Sequence, residues 1–192
     1  MSDFAPSMKP SEDIVVSGAV AEKPLHHKRN LLIVVAAALL LLLIAGYYIK
    51  AAHDRRITAD NQAYIAAVSD SMTLRGERRF AEARKPLQAY VDTGRGQQNK
   101  IYALVNIATI YETEQKEVEA LRVYRQAEQL SEKEEYIIDI GIARTSSALG
   151  EKQAALEYYK RSISMLENEN QQSRVGDIRS IRTTMKQVET LQ

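Results

Sequence analysis

The sequence has no cysteine and no tryptophan, only two phenylalanines, and three histidines at His26, His27 and His53. Without cysteine there can be no disulfide, thiol nucleophile, thiolate metal site or S-acylation. A cysteine-free chain suits either side of a bacterial inner membrane, so the redox compartment stays open. Beyond position 53 there is no imidazole, the commonest acid–base and metal-binding group. An excess of one charge is missing too: 26 Lys+Arg stand against 25 Asp+Glu among 192 residues. This balance excludes a dedicated nucleic-acid binder, which needs a basic surplus facing the phosphates. Of the four prolines, Pro6, Pro10 and Pro24 fall in the first 30 residues, and Pro86 is the exception.

What is present begins with Leu31 to Ile49, LLIVVAAALLLLLIAGYYI. It is a run of about 19 uncharged residues whose helix would rise about 28 Å, close to the hydrocarbon thickness of a bilayer. Tyr47 and Tyr48 close it where aromatic rings favour the headgroup level. Lys28-Arg29 and Lys50…Arg55-Arg56 flank its ends. The run is longer and starts later than in a cleaved secretory signal, so the expectation is a permanent anchor. Basic residues are tied across the span. The order of short tail, span and larger domain places the C-terminal part outside the cytoplasm, at a bacterial inner membrane. Residues 1–30 read as a disordered tail and 50–63 as a juxtamembrane helical linker.

From Lys50 onward apolar residues recur at intervals of three and four, the mark of helices rather than strands. The middle reads Leu104, Ile107, Ala108, Tyr111, then Ala120, Tyr124, Ala127. A second copy follows at Ile142-Ala143, Gly150, Ala155 and Tyr159, with Asp139, Ser146 and Ser162 departing from the pattern. An earlier, worn copy runs from Tyr64 through Phe80-Ala-Glu-Ala83, Leu87 and Tyr90, its second helix bent at Pro86. Asp92 to Asn99 reads as a loop. In Ser173–Gln192 the residues Val175, Ile178, Ile181, Met185, Val188 and Leu191 share one side, as in a helix that caps a stack.

These spacings resemble the tetratricopeptide repeat, a helix–turn–helix unit of about 34 residues. The fold this implies is all-α: a transmembrane helix at 31–49, then a short solenoid over 64–167, with copies at 64–98, 101–134 and 136–167. A capping helix follows at 173–192. In such a stack the first helices line a concave groove. Here that groove would present Ile65, Val68 and Met72, then Tyr102, Val105, Asn106 and Thr109, then Ile137, Ile140 and Arg144. The groove is mainly apolar with Asn106 and Arg144 as polar fixtures, and suits a hydrophobic or helical segment of another protein. Val105, Thr109, Ile137 and Gly141 stand where members that clamp a C-terminal carboxylate carry polar residues, which argues against that specialisation.

No catalytic set, metal site or cofactor motif assembles. A Ser–His–Asp arrangement would depend on His53 beside the membrane. Gly94-Arg-Gly96 lacks the Gly-Lys-Ser/Thr that completes a phosphate loop. The functional expectation is therefore a membrane-anchored scaffold or adaptor, an accessory subunit of a membrane or envelope complex. The layout is similar to that of anchored repeat proteins associated with bacterial secretion translocons and periplasmic chaperones. A chaperone-like holder of exported unfolded clients and a structural homo-oligomer are the alternatives.

Overall fold

A computed structural model describes residues 25–93, 96–133, 135–168 and 175–190, and every regular element in them is an α-helix. The chain divides into two units, one ending at Lys50 and one beginning at Ala51.

The first unit contains the start of α1 (Leu25–Gly76). The helix begins at Leu25, ahead of the apolar run, directly after Pro24. Once a helix is nucleated each further residue adds one hydrogen bond, and the intervening HHKRN holds no breaker. Residues 1–24, most of the expected tail, lie outside the described residues. From Leu31 to Ile49 the large apolar side chains are exposed on every side. A core helix would bury them; by length and composition this helix can cross a membrane.

The second unit comprises the rest of α1, then α2 (Phe80–Asp92), α3 (Gln97–Thr113), α4 (Glu117–Leu130), α5 (Tyr136–Ala148), α6 (Lys152–Asn168) and α7 (Val175–Thr190). Helix α2 continues through Pro86. The loop expected at 92–99 is shorter, because Asp92 closes α2 and Gln97 already opens α3.

One turn occurs three times. Arg78, Gln115 and Gly150 each adopt a left-handed backbone, with φ of 59°, 58° and 79°. In each case the left-handed residue donates its N–H three residues back: Arg78 to Arg75, Gln115 to Glu112, Gly150 to Ser147. The next residue donates five back: Arg79 to Leu74, Lys116 to Tyr111, Glu151 to Ser146, at 2.8–3.0 Å. This pairing satisfies carbonyls that a helix end leaves open. The following helix then starts alike, with Ala83, Ala120 and Ala155 donating to Arg79, Lys116 and Glu151. All three alanines are fully buried. Four residues on come buried Leu87, Tyr124 and Tyr159, and three further on buried Tyr90, Ala127 and Ser162. The unit recurs at intervals of 37 and 35 residues.

The most extensive packing is between α5 and α6 and between α3 and α4; α2–α3, α4–α5, α6–α7 and α3–α5 follow. One core spans α1 to α5 and a second joins α5, α6 and α7. Helix α7 buries Ile181 and Val188 and half-buries Ile178 and Met185; the side chains of Val175 and Leu191 lie outside the described residues.

Two of the departures in the copy at 136–167, Asp139 and Ser146, have physical explanations. Asp139 is 1% exposed. Arg161 on α6 donates Nε–H to its Oδ2 at 2.6 Å and pairs a second nitrogen with Oδ1. Arg161 also reaches Glu128 at 2.8 Å. Burying a carboxylate is tolerable only with such a partner. The Arg161 guanidinium is pushed up further, chiefly by hydrogen bonding to Asp139. The guanidiniums of Arg125 and Arg161 both lie over the Tyr158 ring, 4.7 and 4.4 Å from its centroid. Ser146, also buried, donates to Glu151 at 3.0 Å, pinning the turn it precedes.

Candidate partner-binding surface

Because the three turns are equivalent, positions counted back from them are equivalent as well. Ile65 on α1, Tyr102 on α3 and Ile137 on α5 occupy one such position. They are 64%, 37% and 39% exposed. Helical periodicity dictates the rest: a residue three further on lies on the same side but deeper. Val68 and Ile140 there are half-buried, while Val105 is buried in the core. Val105 is thus withdrawn from any groove, packed where Tyr102 projects. At the third position Met72 is exposed, Thr109 is half-buried and Arg144 is half-exposed.

The polar members are occupied within the chain. Asn106 donates Nδ2–H to the Tyr102 carbonyl at 2.9 Å and to the Tyr64 hydroxyl at 3.3 Å. Arg144 clamps Glu112 through Nε to Oε1 at 3.2 Å and Nη2 to Oε2 at 2.7 Å. The same Arg144 nitrogen lies 3.3 Å from the Tyr124 hydroxyl, which donates to Glu112 at 3.0 Å. Thr109 Oγ1 donates to the Val105 carbonyl and stands 3.2 Å from the Tyr124 oxygen. Burial, then the Glu112 charge, pushes the Tyr124 phenol up to about 12. Arg144 is held above its ordinary value because Glu112 outweighs the burial that opposes its charge. What this face offers outward is therefore apolar: Ile65, Met72, Tyr102 and Ile137. Arg144 joins α5 to α3 instead of standing free for a ligand.

A second feature escaped the sequence reading. A cavity of about 750 Å³ lies between α1 and the start of α3. Its walls are His53, Arg56, Ile57, Ala59, Asp60 and Asn61 on one side and Gly96 to Asn99 on the other. In its wall Asp60 Oδ2 accepts hydrogen bonds from Tyr90 Oη at 2.6 Å and Asn99 Nδ2 at 2.8 Å. Asn99 also donates to Asn61 at 2.9 Å. A Cβ at Gly96 would stand 2.6 Å from Asp60 Oδ2, so a larger residue there would have to shift that carboxylate. The signal was legible in principle. His53, Arg56, Ile57, Asp60 and Asn61 fall at i, i+3, i+4, i+7 and i+8, one face of a helix. Reading 50–63 as a linker concealed it.

Among the described residues no group of three or more His, Asp or Glu side chains converges as metal ligands do. No protein-family model matches this sequence, and no curated protein matches it.

Proposed function

We propose that this chain is a membrane-anchored, tetratricopeptide-like adaptor that holds an apolar segment of another protein. Ile65, Tyr102 and Ile137 carry the reading: three large apolar side chains stand exposed at one repeated position on three successive first helices. A repeated exposed position forms a row, and a row of apolar side chains matches the spaced anchors of an amphipathic helix. Anchoring by Leu31–Ile49 raises the effective concentration of this row towards partners in the same membrane. The span is a retained anchor in this reading, since its apolar run is longer and starts later than in a cleaved secretory signal. The domain then lies outside the cytoplasm of a bacterial cell, as an accessory subunit of an inner-membrane or envelope complex.

A photo-crosslinking residue in place of Tyr102 in the full-length chain tests this. One dominant membrane-protein adduct is expected, lost when Ile65 and Ile137 are both changed to Ser. The same probe at Val118, exposed on α4, should give no such adduct. Adducts to many exported proteins would instead assign a chaperone, and adducts to a second copy a structural oligomer. Equal labelling from positions 102 and 118 would remove the apolar row as the binding surface.

A further inference from the structure

The cavity between α1 and the start of α3 is continuous with the apolar row on both of its walls. Ile57, Asn61 and Ile65 follow one another at intervals of four on one stripe of α1, and Gln98 and Tyr102 do so on α3. Ile57, Asn61 and Gln98 line the cavity, while Ile65 and Tyr102 belong to the row. Along α1 the step from Ile57 to Ile65 is about 12 Å. The amide donors at the start of α3 are used inside the chain: Asn99 on Asp60 and Asn61, Gln98 on Glu135, Gln97 on the Leu130 carbonyl. Asp60 is likewise taken up, by Tyr90 and Asn99. The side chains of His53 and Arg56, on the α1 wall, make no hydrogen bond or ion pair with a described residue. Arg84, Arg125, Arg144 and Arg161, by contrast, are all paired. The cavity thus sets an apolar wall at Ile57 beside two open cations, and its volume of about 750 Å³ holds more than one side chain.

Resting on the adaptor reading above, we infer that this cavity receives the end of the same partner segment. It takes one large apolar side chain against Ile57 and an Asp or Glu side chain on Arg56 and His53. Arg suits a carboxylate because its planar fork can give two parallel hydrogen bonds. His53 adds a ring N–H from the same helix face. Apolar wall and cations together select an acidic residue within about one turn of a large apolar one. Neither a free anion nor a wholly apolar segment supplies both. A row of three apolar contacts does not by itself set the direction of a bound segment; an acid-binding cavity beyond Ile65 does.

The test places a photo-crosslinking residue at Tyr102 and, separately, at Ile57 in the full-length chain. Both should yield the same adduct, and the partner peptide joined to position 57 should carry an Asp or Glu beside a large apolar residue. Arg55 and Arg56 are adjacent, equal in charge and both exposed, but only Arg56 lines the cavity. Arg56→Glu should therefore cut both adducts several-fold, while Arg55→Glu leaves them. Changing the partner's acid to Lys should restore capture by Arg56→Glu, which a misfolded variant could not show. An adduct from position 102 that survives Arg56→Glu, with none from position 57, overturns this inference and spares the row. Equal loss with Arg55→Glu and Arg56→Glu leaves only general charge attraction and overturns the cavity. Capture that the partner's Lys does not restore overturns the carboxylate contact, and an adduct from position 57 to a second copy of this chain overturns the partner. Absence of any adduct from position 102 removes the adaptor reading, and this inference with it.

Discussion

Within Ala51–Gln192 the helices are joined in two ways. From α3 to α6 the junctions are made by small residues: Ala108, Ala120, Ala143 and Ala155 are fully buried, and the backbones come close. Where α1 meets α2 and α3 the backbones stay further apart. There the space is taken by Tyr64 and Tyr90, whose rings stand 5.6 Å apart, and by hydrogen bonds from Tyr90 and Asn99 to Asp60 and from Asn106 to Tyr64. The contrast separates two sources of stability. Close junctions depend on shape, so one added methyl disrupts them. Polar junctions depend on separate hydrogen bonds, each worth about 1 kcal/mol net, and tolerate changes of volume.

The sharpest way to break this contrast is to alter one repeat position in both settings. Gly141 on α5 and Asn106 on α3 are equivalent. A Cβ on Gly141 would lie 2.3 to 2.7 Å from three atoms of the buried Tyr124 ring. Gly141→Ala therefore has to displace a fully enclosed aromatic side chain, and should lower stability by about 2–3 kcal/mol even though alanine favours a helix. Asn106→Ala removes the bond to Tyr64 and should lower it by about 1 kcal/mol. Urea unfolding of the full chain in mild detergent, followed by circular dichroism, checks both. If Gly141→Ala proves the milder of the two, shape does not govern the close junctions.

A similar effect is expected from proton loss at the same ring. The Tyr124 phenol is raised from 10.0 to about 12 by burial and by Glu112. Its folded-state value lies above the unfolded one, so the folded state keeps its proton longer. The associated stability is complete below pH 10 and disappears as pH climbs towards 12. Two pH units correspond to roughly 2–3 kcal/mol. The natural chain should lose about that much more than Tyr124→Phe over the interval, as read from unfolding midpoints at pH 9.5 and pH 12. Tyr158 and Tyr159 are also raised, first by burial, and remain in both chains, so the difference isolates position 124. Equal slopes would mean that Tyr124 is not closed in.

Much of this architecture was legible because it depends on spacing. The three buried alanines, the large residue four positions on and the apolar side of α7 all follow from helical periodicity. The outward row of Ile65, Tyr102 and Ile137 was legible for the same reason. Partnerships between distant residues were not. Asp139 read as a defect until Arg161, on another helix, was found against it. Arg144 read as a polar fixture of the groove, yet it is paired with Glu112. Gly141 carried no turn signal because its glycine answers to the size of Tyr124, not to its own backbone. The α1 face at His53 follows from helical spacing, but the start of α3 beside it, which completes the cavity, follows from no local pattern.

The smallest expected effect compares the three turns themselves. Each needs one left-handed residue, and only the third has glycine: Arg78 and Gln115 hold φ of 59° and 58°, Gly150 a φ of 79°. A side chain in that region costs roughly 1–2 kcal/mol through its Cβ, whereas glycine pays mainly in unfolded-state entropy. Gly150→Ala should thus lower stability by about 1 kcal/mol. Gln115→Gly should raise it by a few tenths up to about 1 kcal/mol. Arg78→Gly should do the same in the repeat that includes the polar junction. If the two glycine substitutions gain equally, the turns are independent of how their helices are joined, and the contrast lies in the packing alone. A gain at Gln115 with none at Arg78 would mean that the first helix pair opens before its turn is tested, making that junction the weaker part of the domain.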